Sequence, residues 1–260
     1  MNKKYKLRVI ITETFLFAII LTTIAGLSTT IGSFIAFAMK EPSKKFISLI
    51  MGFSAGVMIL ISFVELLQQG IETLGFLFGH IYFLIGMVLM LVIDISISHK
   101  YEFEDKQGNL EEKWQKTSLL VTIGIFIHNF PEGMATFLAT VKTIDLGIIL
   151  CFAIALHNIP EGIAVAVPIY TSTKNRKKAF FWSFISGISE PIGALIVGLI
   201  LFPLINDFIL GIMLSGVGGF MVYISLDELL PASRDCGFEH LSIIGIILGM
   251  IVMILSLYLL

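Results

Sequence analysis

Two near-identical hexapeptides, HNFPEG at 128–133 and HNIPEG at 157–162, begin 29 residues apart. Each places a histidine and a glutamate four residues apart, so on an α-helix the imidazole and the carboxylate share one face. The asparagine after each histidine lies about 100° further round the helix and flanks that face. Imidazole and carboxylate together suit zinc and other divalent first-row metals. The candidate metal ligands are therefore His128, Asn129, Glu132, His157, Asn158 and Glu161.

Both motifs lie well inside apolar runs, at 118–141 and 146–170. The connection between these runs is short, so the two helices are expected to be antiparallel neighbours whose motifs meet near the bilayer midplane. Pro131 and Pro160 lack the N–H of a helix interior, and each frees a carbonyl one turn earlier. Ionisable groups at this depth cost several kcal/mol each. The duplicated set favours metal binding over a buried His–Glu network that only fixes helix packing.

The composition is that of a membrane protein. Hydrophobic residues make up 57% of the 260 residues and charged residues only 14%, whereas soluble domains carry roughly 25% charged residues. The net charge is −2, and no basic stripe of the kind that nucleic acids require is present, so we expect no nucleic-acid partner. Cys151 and Cys236 are far apart and have no CxxC partner, which predicts neither a disulfide framework nor a structural zinc cluster.

A helical span needs about 20 mostly apolar residues. This length predicts an all-α polytopic protein with one transmembrane domain over 1–260. The eight predicted spans are 9–39, 46–68, 75–97, 118–141, 146–170, 178–203, 207–231 and 240–260. The one long connection, 98–117, carries both signs of charge and is predicted to be a solvated linker, with weak metal capture by its carboxylates as the alternative.

The distribution of Lys and Arg predicts the orientation. Twelve of the 17 lie in the loops after spans 1, 3, 5 and 7, and five lie at the N-terminus or between spans 4 and 5. Since positive loops face the cytoplasm, loop 98–117 should be cytoplasmic and both termini should face outward. The N-terminal stretch KKYKLR argues for the opposite orientation.

A second repeat joins spans 2 and 7. GVMILISFVELL and GFMVYISLDELL align at an offset of 163, which pairs Gly56 with Gly219 and Glu65 with Glu228. Spans 1–3 would then repeat as spans 6–8 with opposite membrane orientation, and spans 4 and 5 would lie between them. This 3+2+3 inverted pseudo-symmetric bundle is a pattern common among secondary transporters.

Three carboxylates within predicted spans are further candidates. Glu190, in SISEPIG, is followed by Pro191 in the middle of span 6, and Glu65 lies in SFVELL. Both are candidates to join the metal site, since midspan carboxylates are usually functional. Glu228 stands near Pro231 towards the end of span 7. Lining of a metal pathway and a structural role both remain open for Glu228.

With HNFPEG, HNIPEG, SISEPIG and DELLP in these positions, the chain resembles the ZIP (Zrt-, Irt-like) divalent-metal transporters, in particular their bacterial ZupT-like zinc-uptake branch. The resemblance covers essentially the whole chain. It implies an eight-helix bundle, a homodimer in a bacterial plasma membrane, and two adjacent metal sites between spans 4 and 5. The first implied site comprises Glu65, His128, Glu132, His157 and Glu161. The second comprises Asn129, Glu132, Asn158, Glu161 and Glu190, with Glu132 and Glu161 shared by both.

The function expected on this basis is import of a divalent metal, zinc first, with iron(II), manganese, cobalt and cadmium as alternatives because a His/Glu/Asn site selects poorly by ligand type. The metal is then substrate, bound at one or two adjacent sites. A fixed-pore metal channel is one alternative. An intramembrane metalloenzyme is less favoured, since metalloproteases need HExxH and di-iron bundles use ExxH, whereas here Asn follows His and the order is HxxxE.

Overall fold

The computed structural model describes residues 3–38, 43–98, 129–201 and 206–259, and it is helical apart from short connections. The helices in these ranges, numbered in chain order, are α1 (Lys3–Ala38), α2 (Lys44–Leu74), α3 (Phe76–Ser98), α4 (129–142), α5 (Ile144–Thr173), α6 (Arg176–Ile196), α7 (Asp207–Asp235) and α8 (Glu239–Leu259). A π-helical turn, Val197–Leu201, continues α6. The predicted all-α fold is confirmed.

Seven of these helices are long and apolar enough to cross a membrane. The remaining helix, α4, corresponds to the second part of the predicted span 118–141. The first part of that span, including His128, lies outside the described residues, as does the predicted loop from residue 99 onward. The large apolar side chains on the outer faces of α3 and α8 are exposed; Leu84 is an example at 57%. Apolar surface of this extent fits lipid rather than water, and the chain is an integral membrane protein.

Polar caps set the helix starts. Ser43, Thr143, Asn175 and Asn206 each accept a hydrogen bond from the backbone N–H three residues later, at 3.0–3.2 Å. Such caps satisfy N–H groups that have no partner inside the helix. Thr143 is the only residue between α4 and α5, so these two helices form a tight antiparallel pair, as the short connection predicts.

The structure contains the predicted inverted repeat. A π-helical turn begins at Ser62 in α2, and another begins at Ser225 in α7, which is 163 residues later. These are the positions that the aligned stretches of spans 2 and 7 place together. Two helices with the same rare backbone irregularity at the same aligned residue are related by more than apolar composition.

The contacts between helices also repeat at the offset of 163 residues. Gly56 in α2 approaches the backbone carbonyl of Ile246 in α8, and Gly219 in α7 approaches that of Phe83 in α3. Both 219 − 56 and 246 − 83 equal 163. The α2–α8 contact is therefore repeated as the α7–α3 contact, as a pseudo-twofold axis requires. The absence of side chains at these glycines lets the backbones come together.

The helices separate into two groups. One contains α2, α3, α7 and α8, and the other contains α1, α5 and α6 with α4 packed against α6. Helix α2 contacts α5 across the boundary between the groups, and buried residues of α4, such as Phe137, belong to the same hydrophobic core as residues of α2 and α7. Because α5 carries the second hexapeptide and α6 carries Glu190, most candidate metal ligands lie on the group of α1, α4, α5 and α6, whereas Glu65 lies on α2 in the other group.

Candidate metal site

Three predicted ligands from α4 and α5 lie together. Glu132, His157 and Glu161 are buried, and one ligand atom from each lies within 4.8 Å of the other two. The Nε2 atom of His157 is 3.3 Å from Oε1 of Glu132, which is ion-pair distance but without hydrogen-bond geometry. One imidazole and two carboxylates at this spacing form a donor set that suits zinc.

The histidine is oriented to bind a cation. Nδ1 of His157 lies 3.1 Å from the backbone carbonyl oxygen of Ala153. A carbonyl oxygen can only accept a hydrogen bond, so Nδ1 carries the proton and Nε2 presents its lone pair. Nε2 and both carboxylate oxygens of Glu132 have no hydrogen-bond partner in the described part of the chain. Buried polar atoms are normally paired, so these three atoms are available to a metal.

The negative charge of the site also favours the binding of a cation. Glu132, Glu161 and Glu190 are all buried, with at most 1% of each exposed. Among the residues whose burial is described, the buried charged side chains include no lysine or arginine. Three carboxylates in one low-dielectric region repel one another and lose their hydration. A divalent metal would offset both costs directly.

The two asparagines of the motifs tie their helices to α1 and α6. The Nδ2 atom of Asn158 donates to the backbone carbonyl of Ala25 at 2.9 Å and also to Oε1 of Glu190. Nδ2 of Asn129 donates to the backbone carbonyl of Ser186 at 3.3 Å. Oδ1 of Asn158 and Oε2 of Glu190 have no partner among the residues described. These two oxygens can therefore take part in metal binding beside the carboxylates of the first three ligands.

The remaining candidates lie further out or outside the described residues. Glu65, in the π turn of α2, is half-buried and accepts a hydrogen bond from Nε2 of Gln69 at 3.1 Å. Glu228, in the π turn of α7, is half-buried and lies within electrostatic range of Glu161. Neither belongs to the three-residue cluster. His128 is outside the described residues.

Two serines at the site were not predicted. Ser186 is buried one helical turn before Glu190, and its hydroxyl has no partner in the described ranges. The four-residue spacing to Glu190 is the signal that could have found it. Ser54 in α2 donates to the backbone carbonyl of His157 at 3.3 Å. Nothing in the local sequence marks Ser54, because a contact between helices is not visible in periodicity.

Comparison with known proteins agrees with this donor set. Residues 98–257 match the family described as ZIP zinc transporter. The chain belongs to the ZIP family. Proteins named zinc transporter ZupT are similar over nearly their full length: one from Clostridium perfringens is 44% identical, covering 94% of this chain and 96% of its own. One from Chlorobium phaeovibrioides is 47% identical, covering 94% and 97%.

Membership of the ZIP family decides between two of the expected functions. The family consists of transporters of divalent metal ions rather than enzymes, so the metalloenzyme alternative is set aside. A third relative, the zinc transporter ZupT of Streptococcus mutans, is 44% identical over 93% of this chain. The protein is a divalent-metal transporter, and the metal is its substrate.

Proposed function

We propose that this protein imports zinc into the cytoplasm through the cluster of Glu132, His157 and Glu161. The observation that carries the proposal is the set of buried donor atoms in that cluster, with no buried lysine or arginine among the residues whose burial is described. An imidazole with carboxylates favours zinc over magnesium or calcium, which prefer oxygen ligands alone. Iron(II), manganese, cobalt and cadmium are secondary substrates, since such a donor set discriminates weakly among them.

We propose two adjacent metal positions that share Glu132 and Glu161. The first adds His157, with Glu65 and His128 as further ligands. The second adds the oxygens of Asn129, Asn158 and Glu190. Support for the second comes from Oδ1 of Asn158 and Oε2 of Glu190, which are buried without partners in the described ranges. We keep Glu228 as a pathway carboxylate because of its electrostatic range to Glu161.

Transport in this proposal occurs by alternating access. The group of α1, α4, α5 and α6 carries all the proposed ligands except Glu65 and moves relative to the group of α2, α3, α7 and α8, which contributes Glu65 from α2. The division of the helix contacts among α1, α2, α3, α5, α6, α7 and α8 into these groups supports such a movement. The fixed-pore channel is the alternative. Saturable uptake with a low turnover number favours the carrier, and flux that stays linear with zinc concentration favours the channel.

Metal uptake by proteoliposomes tests the proposed function. Vesicles that contain the purified protein should accumulate radioactive zinc well above protein-free vesicles. Excess unlabelled iron(II), manganese or cadmium, added singly, should reduce this uptake to different extents, which gives the order of preference. Zinc uptake no greater than that of protein-free vesicles would refute the proposal.

We further propose that the single domain over 1–260 lies in a bacterial plasma membrane with both termini outside. Exposed residues at opposite ends of α5 and α6 test this orientation: Lys177 should be cytoplasmic and Asp145 outside. In a background with Cys151 and Cys236 replaced by Ala, a membrane-impermeant maleimide applied to intact cells should label Asp145→Cys and not Lys177→Cys. The reverse labelling pattern would invert the proposed topology.

We also propose a homodimer, on the strength of the family resemblance. The mass of the purified protein in detergent, measured by light scattering and corrected for bound detergent, should be about twice the chain mass of 28.7 kDa. A monomeric mass across the accessible protein concentrations would contradict this proposal without affecting the metal site, which lies within one chain.

A further inference from the structure

Helices α1 and α6 contain a repeat of their own. IAGLSTTIG in α1 and ISGISEPIG in α6 are identical at five of nine positions when aligned at an offset of 161. The alignment pairs Gly26 with Gly187 and Gly32 with Gly193. It also pairs Thr29 with Glu190, so the carboxylate of one copy is a hydroxyl in the other.

The helix contacts confirm this pairing. Gly133 in α4 approaches the backbone carbonyl of Glu190, and Gly162 in α5 approaches that of Thr29. Since 162 − 133 is 29, the offset of the hexapeptides, and 190 − 29 is 161, the two contacts are equivalent under the pseudo-twofold axis. Thr29 therefore occupies in α1 the place that Glu190 occupies in α6.

The hydrogen bonds of the asparagines follow the same symmetry. Asn158 donates to the carbonyl of Ala25 and Asn129 to that of Ser186, and 186 − 25 is again 161. The side chain of Glu190 also reaches across to Asn158. The same operation relates Thr29 and Asn129 to Glu190 and Asn158, so we expect the Thr29 side chain on the Asn129 side of the pocket.

The hydroxyl of Thr29 differs from those of Thr22 and Thr23 in its hydrogen bonding. Thr29 is fully buried, and its Oγ1 has no hydrogen-bond partner in the described part of the chain. Other hydroxyls of α1, such as those of Thr22 and Thr23, donate to the carbonyl four residues earlier at 2.7–2.8 Å. For Thr29 that carbonyl belongs to Ala25, which already accepts hydrogen bonds from Ser28 and Asn158. The Thr29 hydroxyl is thus left for another partner.

We propose that Thr29 is a specificity-determining residue of the metal site, with its hydroxyl serving as a neutral oxygen donor at the Asn129 end of the pocket. This assignment rests on the proposed function only in taking the pocket as the metal site. Glu190 supplies a charged oxygen at one end and Thr29 a neutral oxygen at the other. The buried carboxylates of the pocket are then Glu132, Glu161 and Glu190, and a hydroxyl in place of a further carboxylate at position 29 limits how tightly the pocket retains a divalent ion. An added oxygen donor favours metals such as manganese that prefer oxygen ligands, more than it favours zinc.

Equilibrium metal binding to the purified protein in detergent tests the assignment. In Thr29→Val, which keeps the shape and removes the hydroxyl, the affinity for manganese relative to zinc should fall roughly five-fold, the scale of one lost polar interaction. Thr29→Ser keeps the hydroxyl and should keep the wild-type ratio. Thr22→Val is the matched control, because Thr22 is equally buried on α1 but its hydroxyl is already paired.

Exchange of the paired residues gives a second test. Glu190→Thr should weaken zinc binding, and adding Thr29→Glu should recover at least about ten-fold of the loss if position 29 faces the pocket. The two positions have equivalent neighbours, because Gly187 lies against the Thr29 Cβ as Gly26 lies against that of Glu190. A residue with only a packing role would not produce such a recovery.

The results of these experiments distinguish a failure of the Thr29 assignment from a failure of the proposed function. A shifted manganese-to-zinc ratio in Thr29→Val, or recovery in the double variant, supports the assignment. An unchanged ratio together with no recovery overturns it. Wild-type protein that binds zinc in detergent but does not carry it into vesicles contradicts the proposed function alone.

Discussion

Replacing Glu132 by Gln should reduce zinc uptake by about 100-fold or more, since even residues that only support metal ligands change affinity by 10–100-fold. Glu132 is fully buried, and both of its carboxylate oxygens lack hydrogen-bond partners in the described residues. Gln has nearly the same shape but carries no charge and has one ligating oxygen rather than two. The substitution therefore removes metal binding and leaves the packing of α4 largely intact.

Thermal unfolding distinguishes loss of binding from loss of fold. Without metal, Glu132→Gln should be at least as stable as the wild type, because one of three mutually repelling buried carboxylates is gone. Zinc should raise the unfolding temperature of the wild type, since it binds the folded state, and should raise that of the variant much less. Lower stability without metal would mean that Glu132 supports the fold instead.

A matched control uses Glu72, an exposed glutamate in α2 that lies 3.4 Å from the Nε2 atom of Gln68. Glu72→Gln removes the same charge from the same kind of side chain, away from the cluster. Its uptake and its response to zinc should stay close to those of the wild type. Equal loss of uptake in both variants would indicate a general effect of surface charge rather than a metal site.

The helices and the pairing of α4 with α5 could be predicted because both are local. Apolar runs set span length, and a one-residue connection at Thr143 leaves the adjoining helices few alternatives to antiparallel packing. The duplicated HxxxE spacing then places Glu132 and Glu161 on facing surfaces without knowledge of any other helix. Glu190 was predicted from the cost of a midspan carboxylate and from the family resemblance, with no spacing that links it to the two hexapeptides.

Contacts between distant helices could not be predicted in the same way. The bond from Asn158 to Ala25 joins residues 133 apart, and which carbonyl an asparagine reaches depends on how α1 packs on α5. The π turns at Ser62 and Ser225 likewise change which backbone groups pair, with no signature in composition. The repeat between α1 and α6 is present in the sequence and aligns Thr29 with Glu190. Because these two residues differ in type, their equivalence becomes evident only once the helix contacts fix the alignment.

The glycine that follows Glu132 should tolerate no side chain. In Gly133→Ala, the added Cβ would overlap the backbone carbonyl of Glu190, and a backbone group in a packed helix cannot turn aside as a flexible side chain can. Helix α4 must then move away from α6. We expect a loss of about 3 kcal/mol in the free energy of unfolding and a fall of roughly 10 °C in the unfolding temperature. Gly162→Ala, which meets the carbonyl of Thr29 in the equivalent way, should behave alike.

A glycine elsewhere provides the matched control. Gly216 lies inside α7, and the nearest atom to a Cβ there would be the carbonyl oxygen of Tyr82 at 3.9 Å, an ordinary contact. Gly216→Ala should leave stability unchanged or raise it by up to about 1 kcal/mol, because alanine loses less conformational entropy in a helix. Unfolding measured for both variants without metal isolates packing from metal binding. If Gly133→Ala unfolds at the same temperature as Gly216→Ala, the close approach of α4 to α6 is not what holds Glu132 and Glu190 in one pocket.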